Sequence, residues 1–382
     1  MLQVVVTSAG RFHGFDLARQ VHRLGHLDRL YTGYPKWKVD GLPSSKVASF
    51  PYIVAPMMLL NKRGYARVGA RLNWLAAESF DRWVARSLRP CDVFHFLSSL
   101  GMRSQRVAHS MGAVTVCDRG STHVLHQDAI LADEFRRWGI NYQAFDRRLV
   151  ERELAEYEEA DIILVPSSFV YKTFVDRGVP PAKIVRIPYG VDTQMFRPAP
   201  KEDDVFRVIY VGILSLRKGI PYLLEALAPL KLPRFEIWLV GPVAEDVRPF
   251  LARYEGRYRM FGYVPRQDLY RYYSQASVFV LASIEEGLAT VIAQAMACGL
   301  PIVATENTGA DDLITDGVEG FIVPIRSVEA IREKVLFLYG QPEAAKAMGR
   351  AALQRVGQLG GWNKYGEAVI GCYLNRVNGR IV

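Results

Sequence analysis

Glu285 and Glu286 stand side by side between an apolar run, Val278 to Leu281, and a small-residue helical run, Leu288 to Cys298. Gly299 stops that run before a second apolar run begins at Pro301. The order reads strand, loop, helix, glycine stop, strand. In a βαβ unit such a loop lies at the carboxyl edge of a parallel sheet, and the helix behind it aims free N–H groups outward. An anionic ligand belongs in that crevice. A second loop of this kind follows the strand-like start of Phe206 to Leu227 and holds Gly212, Ser215, Arg217 and Lys218 before Gly219 opens a helix. A third, Asp118 to His123 (DRGSTH), follows the run Ala113 to Cys117; a fourth, Gly10 to Gly14, follows Leu2 to Thr7 and offers Arg11 and His13. Plainer roles stand beside these. A loop Arg or His is often only solvated, and Ser121 or Thr122 would cap the helical pattern Val124 to Phe135.

The stretch from Glu286 to Pro301 resembles the donor-sugar motif of retaining glycosyltransferases of family four: Glu, seven residues, Glu, then Ala-Met-Ala-x-Gly-x-Pro. The first acid is Glu286, and Gln294 stands where the second would be. The resemblance implies the GT-B fold, two Rossmann-like α/β domains facing across a cleft. It also implies transfer of a sugar from a nucleotide-sugar, a UDP- or GDP-sugar, to an acceptor hydroxyl with retention, without a metal or other cofactor. On that reading Glu286 orients the sugar hydroxyls. Gln294 takes the ribose, where its amide oxygen still accepts an O–H bond without charge assistance. Lys218 and Arg217 neutralise the diphosphate, on which charge grows as the glycosidic bond breaks. Relatives carry an Arg directly after the first glycine; Ile213 holds that place, and Arg217 is the substitute. Gly212, Ser215, backbone near Val264, and the amides of Leu288, Ala289 and Thr290 complete the donor side. Arg119 and His123 would approach the donor sugar or its β-phosphate, and Gly10, Arg11 and His13 would face the acceptor.

A second signature runs from Ala160 to Pro198 and contains Pro188-Tyr189-Gly190-Val191-Asp192, read as a hinge in which Gly190 makes the turn. It divides the chain into residues 1–188 plus 362–382 on the acceptor side and 189–361 on the nucleotide-sugar side. The resemblance implies that the final helix, with Trp362, Tyr365 and Tyr373, crosses back to the first domain.

A length of 382 residues is too much for one ordinary core, and half the residues are hydrophobic. Cys91, Cys117, Cys298 and Cys372 lie far apart, which argues against a zinc site or disulfide framework and for a reducing, cytoplasmic setting. The spacing Gly10 to Gly14 lacks the nicotinamide-type dinucleotide fingerprint. Residues 1–110 hold 16 of the 48 basic residues but only 6 of the 39 acidic ones, so the net charge of +9 belongs to the first part of the chain. No nucleic-acid recognition motif accompanies it. The apolar run Pro51 to Leu60 is too short to span a bilayer. Followed by Lys62, Arg63, Arg67, Arg71, Arg82 and Arg86 at helical intervals, it suggests peripheral contact with an anionic membrane face; the alternative is a core-facing helix with a solvated arginine face. The acceptor is expected to be a lipid-linked or polysaccharide glycan of the bacterial envelope. A sugar-nucleotide epimerase of similar fold and a non-catalytic sugar-nucleotide binder are the rival readings.

Overall fold

The computed structural model describes all residues except 11, 53–55, 57–65 and 380–382, together with the side chains of 66–71. Within the described residues the chain forms two parallel sheets. The first has the order β3-β2-β1-β4-β5-β6-β7. Its strands are β1 Val4–Ser8, β2 Leu27–Thr32, β3 Val47–Ser49, β4 Val93–Leu97, β5 Val114–Asp118, β6 Ile162–Val165 and β7 Ile184–Arg186. The second has the order β10-β9-β8-β11-β12-β13. It is built from β8 Phe206–Val211, β9 Phe235–Val240, β10 Arg259–Gly262, β11 Val278–Leu281, β12 Ile302–Thr305 and β13 Gly320–Val323. These strands read as short apolar runs rather than alternating ones because helices cover both faces; every residue of β1, β4, β5, β11 and β12 is buried.

Strand order reverses between β1 and β4 in the first sheet and between β8 and β11 in the second. At such a switch point neighbouring loops diverge and leave a crevice at the carboxyl edge. The loops carrying Lys218 and Glu286 are therefore neighbours although 68 residues separate them.

The last helix, Gly361–Asn378, lays Tyr365, Val369, Ile370 and Tyr373 into the core formed by β1, β2, β4, β5 and the helix His13–Arg23. Gly190 does not make a turn through a positive φ. Its place is fixed by close approach: a Cβ there would lie 2.2 Å from the amide nitrogen of Trp362. The helix Ala66–Ser87 buries Phe80 and Val84 in the core, and its Glu78 and Asp81 hold the buried Arg152. Arg82 pairs with Glu78 at 2.8 Å, and Arg86 is exposed. Its described face is thus a core face with a solvated arginine side; Lys62, Arg63, the side chains of Arg67 and Arg71, and most of the apolar run lie outside the described residues. No helix among the described residues is long and apolar enough to cross a membrane.

Candidate functional site

Glu286 lies in the loop after β11 with its backbone N–H on the Asn307 carbonyl at 2.9 Å. Its nearly buried carboxylate accepts from Ser283 Oγ at 2.9 Å, from Arg217 Nη2 at 3.1 Å and from Lys218 Nζ. Two cations and one carboxylate thus share the crevice of the second sheet. Arg217 stays charged there: burial alone would lower its pKa, but Glu286 and Glu285 raise it. Gly219 enters the next helix in the left-handed region at φ 65°, and a Cβ would strike the Ala282 carbonyl oxygen at 1.8 Å. Only glycine lets the cation-bearing loop approach the β11 edge so closely.

Glu285 points the other way, across the cleft. It is fully buried and accepts from Ser121 Oγ at 2.7 Å, Thr122 Oγ1 at 2.8 Å, Gln127 Nε2 at 3.0 Å and Arg217 Nε at 2.9 Å. Burial pushes its pKa up, yet Arg217 and the hydroxyl and amide donors outweigh that and hold it at about 2. Gly287 follows with no room for a side chain, since a Cβ would sit 1.9 Å from the Gly120 carbonyl oxygen. Ser167 Oγ donates to the Gly287 carbonyl at 2.5 Å, so both domains meet at this loop.

The other donor-side candidates line the same edge. Gly212 follows β8 at φ 148°, Ser215 is half-buried, and Ile213 is 54% exposed. Val264 packs partly on the second core beside Tyr263, which is 77% exposed. The helix Thr290–Ala297 begins later than expected. Its preceding Ala289 N–H is already spent on the Thr308 carbonyl at 3.1 Å, which removes it from the anion-binding set and leaves the amides of Leu288 and Thr290. Gln294 is nearly buried and accepts from Tyr273 Oη at 3.2 Å through Oε1. That oxygen is already engaged, so the expected acceptor for a ribose hydroxyl is partly used.

Two residues of the third loop are placed differently from expectation. His123 is itself the cap of the helix Val124–Arg137, its Nδ1 accepting from Leu125 N–H at 3.2 Å. Its ring packs edge-on to Phe174, and burial lowers its pKa to about 4. Arg119 turns inward to Glu153 at 2.8 Å, the Thr122 carbonyl and Gln127. Both belong to the interior of the first domain because desolvation leaves them needing local partners. Ser121 and Thr122, expected as caps, donate to Glu285 instead.

On the acceptor side, Gly10 is buried and its carbonyl accepts from Ser8 Oγ at 2.8 Å. Arg11 lies outside the described residues. His13 opens the helix His13–Arg23 and donates from Nε2 to Asp118 Oδ2 at 2.7 Å. The same oxygen takes His95 Nε2 at 3.1 Å, and His95 Nδ1 meets Tyr373 Oη at 2.7 Å. His95, Tyr189 and Tyr373 are not among the site residues expected above; Tyr373 stands 278 residues from His95 and Tyr189 stands 176 from His13, so no local pattern joins them.

Two family models and a set of known proteins match this chain. Residues 12–195 match the family model described as Glycosyltransferase Family 4, and residues 191–355 match Glycosyl transferases group 1. Among curated relatives, a GDP-mannose-dependent alpha-(1-6)-phosphatidylinositol monomannoside mannosyltransferase of Mycolicibacterium smegmatis is 30% identical over 216 residues, 50% of this chain and 56% of that protein. The chain spans about half the length of the curated relatives it matches. Sucrose-phosphate synthase from Thermosynechococcus elongatus superposes with TM-score 0.74 at 20% identity over 99% of this chain and all of that one. Anabaena Alr3699/HepE, solved with UDP and glucose, superposes with TM-score 0.72 at 16% identity over 98% and 100%.

Proposed function

The chain has the GT-B fold, and on that premise we propose that it is a glycosyltransferase that moves a sugar, with retention, from a UDP- or GDP-sugar to a hydroxyl of a lipid-linked or polysaccharide glycan of the bacterial envelope. The observation that carries the reading is the Glu286 carboxylate bonded to both Lys218 and Arg217 at the switch point of the second sheet. A donor entering there exchanges these contacts. Its diphosphate draws Lys218 and Arg217, and its sugar hydroxyls take their place on Glu286. As the bond from the anomeric carbon to the diphosphate breaks, charge grows on the phosphate beside two preorganised cations and the amides of Leu288 and Thr290. Two side-chain cations in that position supply the neutralisation that a divalent ion supplies elsewhere, which supports a metal-independent reaction. On this reading Gln294 would take the ribose and the backbone near Val264 the base.

The relatives lean both ways on the nucleotide, the mycobacterial one being GDP-mannose-dependent and HepE described with UDP. The first also supports a lipid-linked acceptor. We place the reaction on the cytoplasmic side, with the basic first domain against an anionic membrane face.

The test is thermal stability against UDP-, GDP-, ADP- and dTDP-sugars. A ligand at about 100 times its Kd adds about 2.7 kcal/mol. One nucleotide should raise Tm, and the gain should shrink in Lys218→Ala. No gain with any of them would sink the reading. Products from donor alone would expose an epimerase, and the anomeric proton coupling of the transferred sugar reads the stereochemistry.

A further inference from the structure

Arg217 stands between two carboxylates that face opposite ways. Its backbone is fixed, since its carbonyl accepts from the Ile284 N–H at 2.8 Å. Its Nε donates to Glu285 Oε2 at 2.9 Å and to the Glu285 carbonyl at 3.1 Å, while Nη2 reaches Glu286 Oε2 at 3.1 Å. A guanidinium is a rigid plane, so holding Nε sets the direction of both Nη groups. Among the described residues Nη1 has no hydrogen-bond partner.

The hold on Nε is itself built by the first domain. Glu285 Oε1 accepts from Ser121 Oγ at 2.7 Å, from Thr122 Oγ1 at 2.8 Å and from the Thr122 N–H at 3.2 Å. Oε2 is shared between Gln127 Nε2 at 3.0 Å and Arg217. Ser121 and Thr122 lie in the loop after β5 and Gln127 in the helix Val124–Arg137, whereas Arg217, Glu285 and Glu286 lie in loops of the second sheet. Apolar side chains would hold two domains together without the cost of burying a charge. A carboxylate adds what they lack, an oxygen that can aim a cation.

We propose that Glu285 is the positioning residue that aims Arg217 at the β-phosphate of the donor, and that Ser121, Thr122 and Gln127 set this aim only while the cleft is closed. This rests on the transferase reading above. In an open cleft Glu285 loses its first-domain donors, and Arg217 turns freely between two carboxylates. The second domain then offers the diphosphate one aimed cation, Lys218. Closing the cleft supplies the second. Neutralisation of the leaving diphosphate is thereby tied to the closed form, which keeps a donor in the open cleft from being activated toward water.

The experiment compares, by isothermal titration calorimetry, a nucleoside diphosphate with its monophosphate, which lacks the β-phosphate. The base is that of the nucleotide-sugar that raises Tm: UDP beside UMP, GDP beside GMP, ADP beside AMP or dTDP beside dTMP. Thr122 is fully buried, so Thr122→Val reaches a ligand only through the groups it touches. It should weaken diphosphate binding about tenfold, as expected for one hydrogen bond to a charged group, and leave monophosphate binding within about twofold. Ser121→Ala should repeat the pattern, and Thr122→Ser, which keeps the hydroxyl, should restore parental affinity. In the Arg217→Ala background the Thr122→Val effect should shrink to about twofold or less, because the residue it acts through is gone. An equal loss for diphosphate and monophosphate, a loss that persists in Arg217→Ala, or no loss at all in Thr122→Val overturns the proposal. So does Arg217→Ala binding the diphosphate as tightly as the parent, or a parent with equal affinity for diphosphate and monophosphate. A parent that gains no Tm from any nucleotide-sugar and binds none of the diphosphates overturns the transferase reading and this one with it.

Discussion

Glu286 and Glu285 are adjacent carboxylates with opposite tasks, set by which way each faces. Glu286 meets the cations Arg217 and Lys218 at the crevice, so Glu286→Ala should nearly abolish transfer while the fold is preserved; unchanged turnover would remove the site assignment. Glu285 meets fixed donors from the other domain. Its carboxyl lies at about 2 in place of the usual 4.5. A folded-state pKa below the unfolded one means stability that is present above the unfolded value and lost as pH falls through the folded value. The depression corresponds to roughly 3 kcal/mol, present above about pH 4.5 and lost between there and pH 2. Melts from pH 7 to pH 3 should therefore show a smaller acid-dependent loss in Glu285→Gln than in the parent. Equal slopes would mean that Glu285 is not the group being titrated.

At the scale of elements, the loop after β11 serves two domains at once, and glycine makes that possible. A side chain at Gly287 would be pushed into the Gly120 carbonyl, which belongs to the loop after β5. Gly287→Ala should wedge the two loops apart while each sheet stays folded: far-ultraviolet circular dichroism unchanged, turnover down by at least tenfold, and the radius of gyration from small-angle scattering raised. Retained turnover would show that the loops do not need this contact. The strand-loop-helix order of this element was legible because its apolar runs, its small-residue helix and Gly299 are all local signals. So was the placing of Glu286 and Lys218 in loops at the carboxyl edge of that sheet. What crosses the cleft was not legible. Nothing near Glu285 announces Ser121 or Gln127, and Asp118, His95 and Tyr373 come together only after two strands and the last helix have packed. His123 misled for a related reason: a histidine beside a strand end looks reactive in sequence, whereas burial turned it into a helix cap.

The whole molecule is two sheets joined by the hinge and by the returning helix, with side-chain contacts across the cleft in at least three further places. One is the Glu285 cluster. A second is Asp312 of the second domain, which accepts from Ser168 Oγ at 3.0 Å and Arg186 Nη1 at 2.7 Å. The third gathers on the helix Val124–Arg137 of the first domain. There the buried Glu134 accepts from Tyr222 Oη at 2.8 Å and Arg326 Nε at 2.7 Å, while Asp133 takes Arg326 Nη2 at 2.9 Å. Trp138 packs against Tyr222 and Phe250 beside them. On the transferase reading, opening the cleft to admit a donor breaks all of these sets, because rigid domains turning about one hinge move every edge together. Removing one partner of a buried ion pair leaves the other charge uncompensated, at a cost of about 3–5 kcal/mol. Arg326→Ala should thus shift the population toward the open form, seen as a larger radius of gyration and a weaker apparent affinity for the nucleotide-sugar. Glu285→Gln should act in the same direction. If both contacts stabilise one closed state, a molecule already open has little left to lose. The double variant should then fall short of the sum of the single effects. Strictly additive changes in the radius of gyration would instead mean that each edge opens by itself, and that the domains do not move as rigid bodies.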